Sequence, residues 1–148
     1  MSRNETSSPR LNHSSSRAHT IAATRLTAYC KDLDRWPQSW AGFPELDVPV
    51  GERIVEEFKP FLLQLIQQDR ARKTVKKYAD YLWVLGGELI RHVNDEEKDR
   101  ALPARELILH HIDETGGPYW RHAQNERDRH AFDSVCRRLY RFMTGANG

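Results

Sequence analysis

Basic residues are concentrated in one short stretch, between two long apolar patterns. The cluster contains Arg70, Arg72, Lys73, Thr74, Lys76 and Lys77. The apolar spacing on its C-terminal side places Lys73, Lys76 and Lys77 in or next to the first turn of a helix. Each cation at a helix N-terminus forgoes about 0.3 to 1 kcal/mol that an acidic residue could gain there. A docked anion reverses this balance, because free N–H groups and cationic side chains converge on it. Phosphate is the natural candidate, and an ordinary solvated charge cluster is the alternative.

A second group of basic residues lies on the last predicted helix. At 100° per residue, one face carries Arg127, Arg137, Arg138 and Arg141. The apolar face, well away from it, is formed by Ala131, Phe132, Val135, Leu139, Phe142 and Met143. This periodicity predicts an arginine ridge exposed to solvent. Arginine near a helix C-terminus is also electrostatically favourable, so the ridge alone is weak evidence for a site.

Two long helices are predicted to flank the Lys/Arg cluster. The first has its apolar stripe at Ile54, Val55, Phe58, Phe61, Leu62, Leu65 and Ile66. The second has its stripe at Val75, Tyr78, Leu82, Leu85, Leu89 and Val93. Together they form a helical hairpin. We expect a kink at Pro60 and a close approach of another helix at Gly86–Gly87.

The remaining segments extend this hairpin on both sides. Residues 1–19 are rich in serine and are predicted to be a disordered arm. Residues 20–50 are predicted to hold a helix from about Ile21 to Arg35, an aromatic loop after Pro37 and a linker over Glu45–Val50. Residues 51–148 form the core, with a charged connector at Asn94–Arg100. A helix after Pro103 runs toward Gly116, and a last helix is capped by Asn125 and reaches about Met143.

Composition narrows the class of protein. The 148 residues fit one domain with extensions, and the net charge of +2 means that local clusters must carry any case for nucleic-acid binding. There is no apolar run of the length of a membrane span and no signal-peptide pattern. Cys30 and Cys136 lie far apart, which favours reduced thiols and a cytoplasmic protein.

Catalytic and metal chemistry are not predicted. The histidines and cysteines lack the spacing of zinc motifs, and no cofactor is expected. Asp95, Glu96 and Glu97 fall in a solvated connector with nothing to raise a pKa. No phosphate-cradling glycine loop or nucleophile elbow is present. We therefore expect no enzyme activity.

Two stretches resemble a known family. Thr74-Val75-Lys76-Lys77-Tyr78-Ala79-Asp80-Tyr81-Leu82 is similar to the start of the second core helix in the core-binding domain of tyrosine recombinases, the phage-integrase type. Phe132–Met143 is similar to the basic and apolar last helix of that domain. The resemblance covers roughly Arg53 to Met143. It implies an all-α, SAM-like four-helix bundle, here with an additional N-terminal helix and the disordered arm.

The resemblance also implies that the second and fourth core helices lie against DNA. By position it assigns DNA contact to Arg72, Lys73, Thr74, Lys76, Lys77, Arg137, Arg138 and Arg141. Two features depart from the family. Asp69–Lys73 replaces the usual Ser-Pro-Asn of the loop. The 148 residues also do not include the Arg, Lys, His, Arg and Tyr constellation of the family's catalytic domain, so strand cleavage is not expected from them.

The expected function is therefore a non-catalytic DNA-binding module, an accessory or regulator in DNA recombination, DNA integration or a mobile element. Double-stranded DNA is the expected partner, with a tyrosine recombinase or a second copy as further candidates and no membrane partner. Arg70 completes the set of candidate contact residues. The alternative is a protein-interaction or self-association module without DNA contact. It would use an exposed apolar surface formed by Trp36, Trp40, Tyr119 and Trp120.

Overall fold

The structure, a computed structural model, describes residues 17–145 and confirms the prediction of an all-α fold. Helix α1 covers residues 17–29 of the described part. The further α-helices are α2 (Trp36–Trp40), α3 (Pro44–Gln67), α4 (Arg72–Asp95), α5 (Ala104–Leu109) and α6 (Glu126–Thr144). Two 3₁₀ helices lie at Leu33–Arg35 and Glu97–Ala101. None of the helices in residues 17–145 has both the length and the apolar character needed to cross a membrane.

Helices α3 and α4 form the predicted hairpin. Every residue of the stripe predicted for α3 is buried, and in α4 only Tyr78 of its stripe is partly exposed. The turn between the helices places Asp69 in the left-handed region, with φ of 59°. Aspartate tolerates this conformation better than most residues. The chain can therefore reverse direction within four residues, and the start of α4 lies beside the end of α3.

Helix α6 packs against α4 and supplies the other side of the core. Phe132, Val135 and Leu139 are buried, as the apolar face predicted. The Asn125 side chain accepts a hydrogen bond from the backbone N–H of Asp128 at 2.9 Å, which confirms the predicted N-cap. The helix ends at Gly145, whose φ of 74° suits a glycine C-cap.

The close approach predicted at Gly86–Gly87 is confirmed. The ring of Trp40 lies against the α-carbon of Gly86, and a Cβ atom at this position would overlap the ring. The Trp40 indole N–H donates to the backbone oxygen of Trp83 at 2.9 Å. Glycine therefore lets α2 lie directly on α4.

Several predictions for the N-terminal third are wrong. Residues 17–19 are already helical, while residues 1–16 of the predicted arm lie outside the described residues. The helix predicted to reach Arg35 ends at residue 29. The loop predicted around Trp36 is instead helix α2, and Trp36 is buried. The physical reason is that Pro37, taken as a helix stop, occupies the first turn of α2, where proline is favoured.

The linker predicted over Glu45–Val50 is also wrong, because these residues belong to α3. The boundary predicted at residue 51 therefore falls inside a helix. Pro44 begins α3, and the Asp47 carboxylate accepts hydrogen bonds from the N–H groups of Gly42 and Phe43 at 2.9 and 2.8 Å. These bonds satisfy groups that a helix start leaves unpaired. Helix α3 continues through Pro60, where the kink stays a prediction.

The segment between α4 and α6 differs from the prediction in two ways. Part of the charged connector forms the 3₁₀ helix Glu97–Ala101, and α5 is shorter than predicted because it ends at Leu109 rather than near Gly116. Asp113 and Gly116 pair across a tight loop through two backbone hydrogen bonds of 2.9 and 3.2 Å. This loop leads to Trp120, which packs against the core between α4 and α6.

Candidate nucleic-acid interface

The α3–α4 turn presents the Lys/Arg cluster at the start of α4. The N-cap residue Ala71 provides no side-chain cap, and the first turn contains no acidic residue. Lys73 lies in this first turn, and Lys76 and Lys77 lie in the next; all three are exposed. Among residues 17–145, none of these lysines forms an ion pair. The positive end of the helix dipole therefore carries cations that form no ion pair with a described residue, and the first turn holds no acidic residue to offset them.

One arginine of the α6 ridge lies beside this end of α4. The guanidinium carbon of Arg138 is 5.9 Å from the ring centroid of Tyr78. Tyr78 is held by Phe61, whose ring centroid is 6.0 Å away, and Phe61 also contacts Phe142 of α6 at 5.6 Å. Through Phe61 of α3, this packed aromatic cluster therefore holds α4 and α6 in place beside Arg138.

The space between the helices is an open groove of about 390 Å³. We call it the α4–α6 groove, and it is lined by Thr74, Lys77, Tyr78, Tyr81, Ala131, Ser134 and Val135. The Tyr81 hydroxyl donates to the Asp128 carboxylate at 3.1 Å. The hydroxyls of Thr74 and Ser134 form no hydrogen bond within the described part of the chain. The groove thus offers a lysine and two available hydroxyls, with Arg138 one turn beyond Ser134.

Two predicted contact residues have structural partners. Arg72 lies over the ring of Tyr29, 5.5 Å from its centroid, and donates to the backbone oxygen of Ala28 at 3.4 Å. Arg137 donates to the backbone oxygen of Thr115 at 3.5 Å. Arg72 therefore ties α1 to α4, and Arg137 ties the loop before α6 to that helix. Their spacing in the sequence did not distinguish them from the other basic residues.

The other predicted residues are divided between two sides of α4. Arg70 is exposed in the turn, and Arg141 is exposed one turn beyond Arg138. Lys76 points away from α6, toward α1, and lines a different groove. Lys77 borders both grooves. Thr74 and Lys77 thus line the α4–α6 groove and Arg138 lies beside its Tyr78, whereas Lys76 lines the other groove.

The groove on the α1 side was not found from the sequence. It has a volume of about 530 Å³, and we call it the α1–α4 groove. The residues used below are Tyr29, Asp32, Lys76, Asp80, Trp83 and Trp120. They come from α1, the turn after it, α4 and the loop before α6, so no local pattern connects them. The only sequence signal is the Lys-Lys-x-x-Asp-x-x-Trp spacing within α4 itself.

Burial and charge around this groove shift two pKa values. Burial, followed by the negative charges of Asp32 and Asp80, raises the pKa of the Cys30 thiol to about 11. Burial raises the pKa of the Asp80 carboxyl above its ordinary value, and the charge of Lys76 partly opposes that shift. Cys30 is therefore a protonated, unreactive thiol at neutral pH.

The exposed apolar surface that the protein-interaction alternative predicts does not form as expected. Trp36 is 3% exposed, and both Trp40 and Trp120 are partly buried against the core. Tyr119 is 71% exposed and lies 4.8 Å from the guanidinium of Arg129. The prediction was wrong because tryptophans near proline and glycine were assumed to lie in loops. Two of them instead belong to the short helix α2.

Comparison of the chain with protein-family models, with curated proteins and with solved structures gives no match. The class of protein is therefore defined by the fold alone, which is all-α, and both α4 and α6 carry exposed basic residues. Within residues 17–145, no group of three or more histidine, cysteine, aspartate or glutamate side chains is arranged to hold a metal ion.

Proposed function

We propose that the protein is a double-stranded-DNA-binding module that contacts the phosphate backbone through the face formed by α4 and α6. The supporting observation is that Lys77 of α4 lines the α4–α6 groove, that Lys73 is exposed one turn before it, and that Arg138 of α6 is exposed beside Tyr78 of the same groove. None of these three cations forms an ion pair with another described residue. Cations arranged in this way favour a polyanion, whose phosphates release counterions when they are neutralised.

Hydrogen-bonding groups at the same face add to this support. Thr74 and Ser134 offer hydroxyls in the groove, and the first turn of α4 offers backbone N–H groups. Contacts of these kinds position a protein on a duplex without reading its sequence. Arg141, exposed farther along α6, extends the same face. In this proposal Arg72 and Arg137 position the neighbouring segments rather than bind phosphate.

The biological role remains the one that the sequence resemblance implies. We propose that the chain is a SAM-like core-binding module that acts without catalysis in DNA recombination, DNA integration or a mobile element. It would work beside a tyrosine recombinase, on which strand cleavage would depend. We also propose a cytoplasmic location, because the free cysteines Cys30 and Cys136 are both buried and fit a reducing compartment.

Fluorescence anisotropy with a random duplex tests the proposal. Lys73, Lys77 and Arg138 are replaced together by alanine, and binding is measured between about 50 and 200 mM salt. We expect the slope of log affinity against log salt to become shallower by about 2.7, since each lost phosphate contact accounts for about 0.9. The matched control replaces the exposed Lys31, Arg53 and Lys98 by alanine and removes the same total charge.

The control variant is expected to keep most of the wild-type slope, because its cations are spread over other parts of the surface. Equal losses in both triple variants would show that net charge alone drives binding and would contradict the proposed face. Absence of wild-type binding at the lower salt concentration would contradict DNA binding itself.

A further inference from the structure

The α1–α4 groove has a different composition from the face proposed for DNA. Lys76 and Lys77 lie at one end of its α4 wall, Asp80 lies one turn farther on, and Trp83 follows. Trp83 is 42% exposed although it is a large aromatic residue. A groove of about 530 Å³ lies within the size range of small-molecule sites. Its lining combines charged groups of both signs with aromatic rings.

The order of these groups along the helix is informative. With a rise of about 1.5 Å per residue, Trp83 lies about 10 Å along α4 from the two lysines, and Asp80 lies between them. Cation, carboxylate and aromatic ring therefore follow one another in the order in which phosphate, ribose and base follow one another in a nucleotide. The two lysines also match the two negative charges of a phosphate monoester.

The two carboxylates of the groove are available as acceptors. Neither the Asp32 nor the Asp80 side chain accepts a hydrogen bond from another described residue, and Asp80 forms no ion pair. Asp80 is exposed at the groove, so a ligand in the groove can reach its carboxylate. A carboxylate in such a position is a typical acceptor for ribose hydroxyls.

The aromatic residues are fixed in place by the rest of the fold. The indole N–H of Trp83 donates to the Ser39 hydroxyl at 2.9 Å, which fixes the edge of the ring. Trp120, in the loop before α6, contacts Tyr81 edge-on at 6.0 Å and Phe132 at 5.5 Å. Rings held in this way at the border of a groove can stack on a planar base with little loss of side-chain entropy.

We propose that the α1–α4 groove binds a ribonucleoside monophosphate. The phosphate lies at Lys76 and Lys77, the ribose hydroxyls donate to Asp80, and the base packs against Trp83 and Trp120. This proposal does not depend on duplex binding at the α4–α6 groove. Lys77 borders both grooves, so a bound nucleotide would reduce the positive charge available to a duplex.

Titration of the ¹⁵N-labelled full chain with AMP, followed by NMR, tests this proposal in the absence of DNA. The four tryptophans give four indole N–H signals, and a Trp83→Phe variant assigns the one that reports on the groove. We expect a saturable shift of the Trp83 signal. Lys76→Ala and Asp80→Asn are each expected to weaken AMP binding by about tenfold, as for loss of a charge-assisted hydrogen bond. Arg91→Ala, at an exposed position of α4 outside this groove, is the matched control on the same helix and is expected to leave AMP binding unchanged.

Deoxyadenosine monophosphate, which lacks the 2′-hydroxyl, is expected to bind about tenfold more weakly than AMP. An RNA trinucleotide with a 5′-phosphate distinguishes a free nucleotide from the end of a strand, and we expect it to bind no more tightly than AMP. The proposal is overturned if the Trp83 signal does not move up to about 5 mM AMP, a concentration at which a site with a Kd of about 1 mM would be mostly occupied. It is equally overturned if Asp80→Asn binds AMP like the wild type, or if inorganic phosphate causes the same shift.

Discussion

The two ends of α4 are built in opposite ways. At its C-terminal end, Asn94 donates to the Asp47 carboxylate at 3.2 Å, and Arg100 donates to Asn94 at 2.6 Å. Asp47 is fully buried and has Arg100 as an ion-pair partner at 3.5 Å. At the N-terminal end, Ala71 provides no cap and Lys73 has no ion-pair partner. Most polar groups at the C-terminal end are therefore bonded within the protein, with the buried Nε of Arg100 as an exception, whereas those at the N-terminal end are available to a ligand.

This difference separates residues that stabilise the fold from residues that reduce its stability. Buried polar groups are stabilising only when their hydrogen bonds are complete, as they nearly are around Asp47. Cations at the positive end of a helix are unfavourable unless an anion binds there. We interpret the contrast as a division of roles, with one end of α4 anchoring α3 and the other end binding phosphate.

The largest expected effect comes from removing the anchor. Asp47→Ala leaves the partly buried Arg100 without its ion-pair partner and frees the N–H groups of Gly42 and Phe43. We expect the free energy of unfolding to fall by about 3 to 5 kcal/mol, the usual effect of breaking a buried ion pair. Urea denaturation followed by circular dichroism measures it. Glu52→Ala, an exposed carboxylate on the same helix, serves as the control, and a loss below about 1 kcal/mol for Asp47→Ala would contradict the anchoring role.

A second prediction concerns the middle of α4. Gly86→Ala places a Cβ atom inside the ring of Trp40, and overpacking of this kind destabilises by about 1 to 3 kcal/mol. Gly87→Ala is the matched control, because its Cβ atom would lie 3.5 Å from the nearest Trp40 atom, an ordinary contact distance. Alanine there is expected to stabilise the helix by up to about 1 kcal/mol. Changes of the same sign in thermal unfolding of the two variants would show that Trp40 does not lie on Gly86.

The smallest expected effect is on pH dependence near the C-terminal end. His111 contacts His92, with ring centroids 4.3 Å apart, and burial lowers the pKa of His111 below its ordinary value. His111 therefore binds a proton more readily in the unfolded chain than in the folded protein. Its contribution makes the free energy of unfolding fall as the pH drops from about 7.5 to 5.5, a range that includes the pKa of histidine in the unfolded chain.

Replacing His111 by phenylalanine is expected to make the unfolding free energy less dependent on pH in this range. Denaturation at several pH values checks the slope, and His122→Asn, on an exposed site, provides the control. An unchanged slope in the His111→Phe variant would show that protonation of His111 does not contribute to the pH dependence of the unfolding free energy.

The sequence was informative where a pattern lies within one helix. The sequence predicted the apolar stripes of α3 and α4, the Asn125 cap and the close approach at Gly86. Each of these features depends on local spacing or capping chemistry. The start of α3 was missed because Pro44 was assigned to the aromatic loop and Pro49 to the linker. Pro44 suits the first helical turn, and the hydrogen bonds to Asp47 provide the cap that the sequence did not reveal.

The sites were less predictable because they depend on which segments meet. The sequence identified the basic residues but did not show that Arg72 stacks on Tyr29 or that Arg138 lies beside Tyr78. The α1–α4 groove joins residues separated by tens of positions, and its recognition required the packing of α1 and Trp120 against α4. Tertiary packing decided which cations are structural and which remain available.

The most direct test of the central claim is to measure stability and duplex binding on one variant, Lys73→Glu. Glutamate at this first-turn position suits the helix dipole and can pair with Lys77 one turn later, so we expect the free energy of unfolding to rise by about 0.5 to 1 kcal/mol. Duplex affinity, measured by anisotropy, is expected to fall by at least about tenfold, because one phosphate contact becomes a repulsion. Lys31→Glu has the same change in charge in a different part of the surface and should alter affinity little. A variant that is more stable but binds poorly would support the account, whereas lower stability or unchanged DNA binding would contradict it.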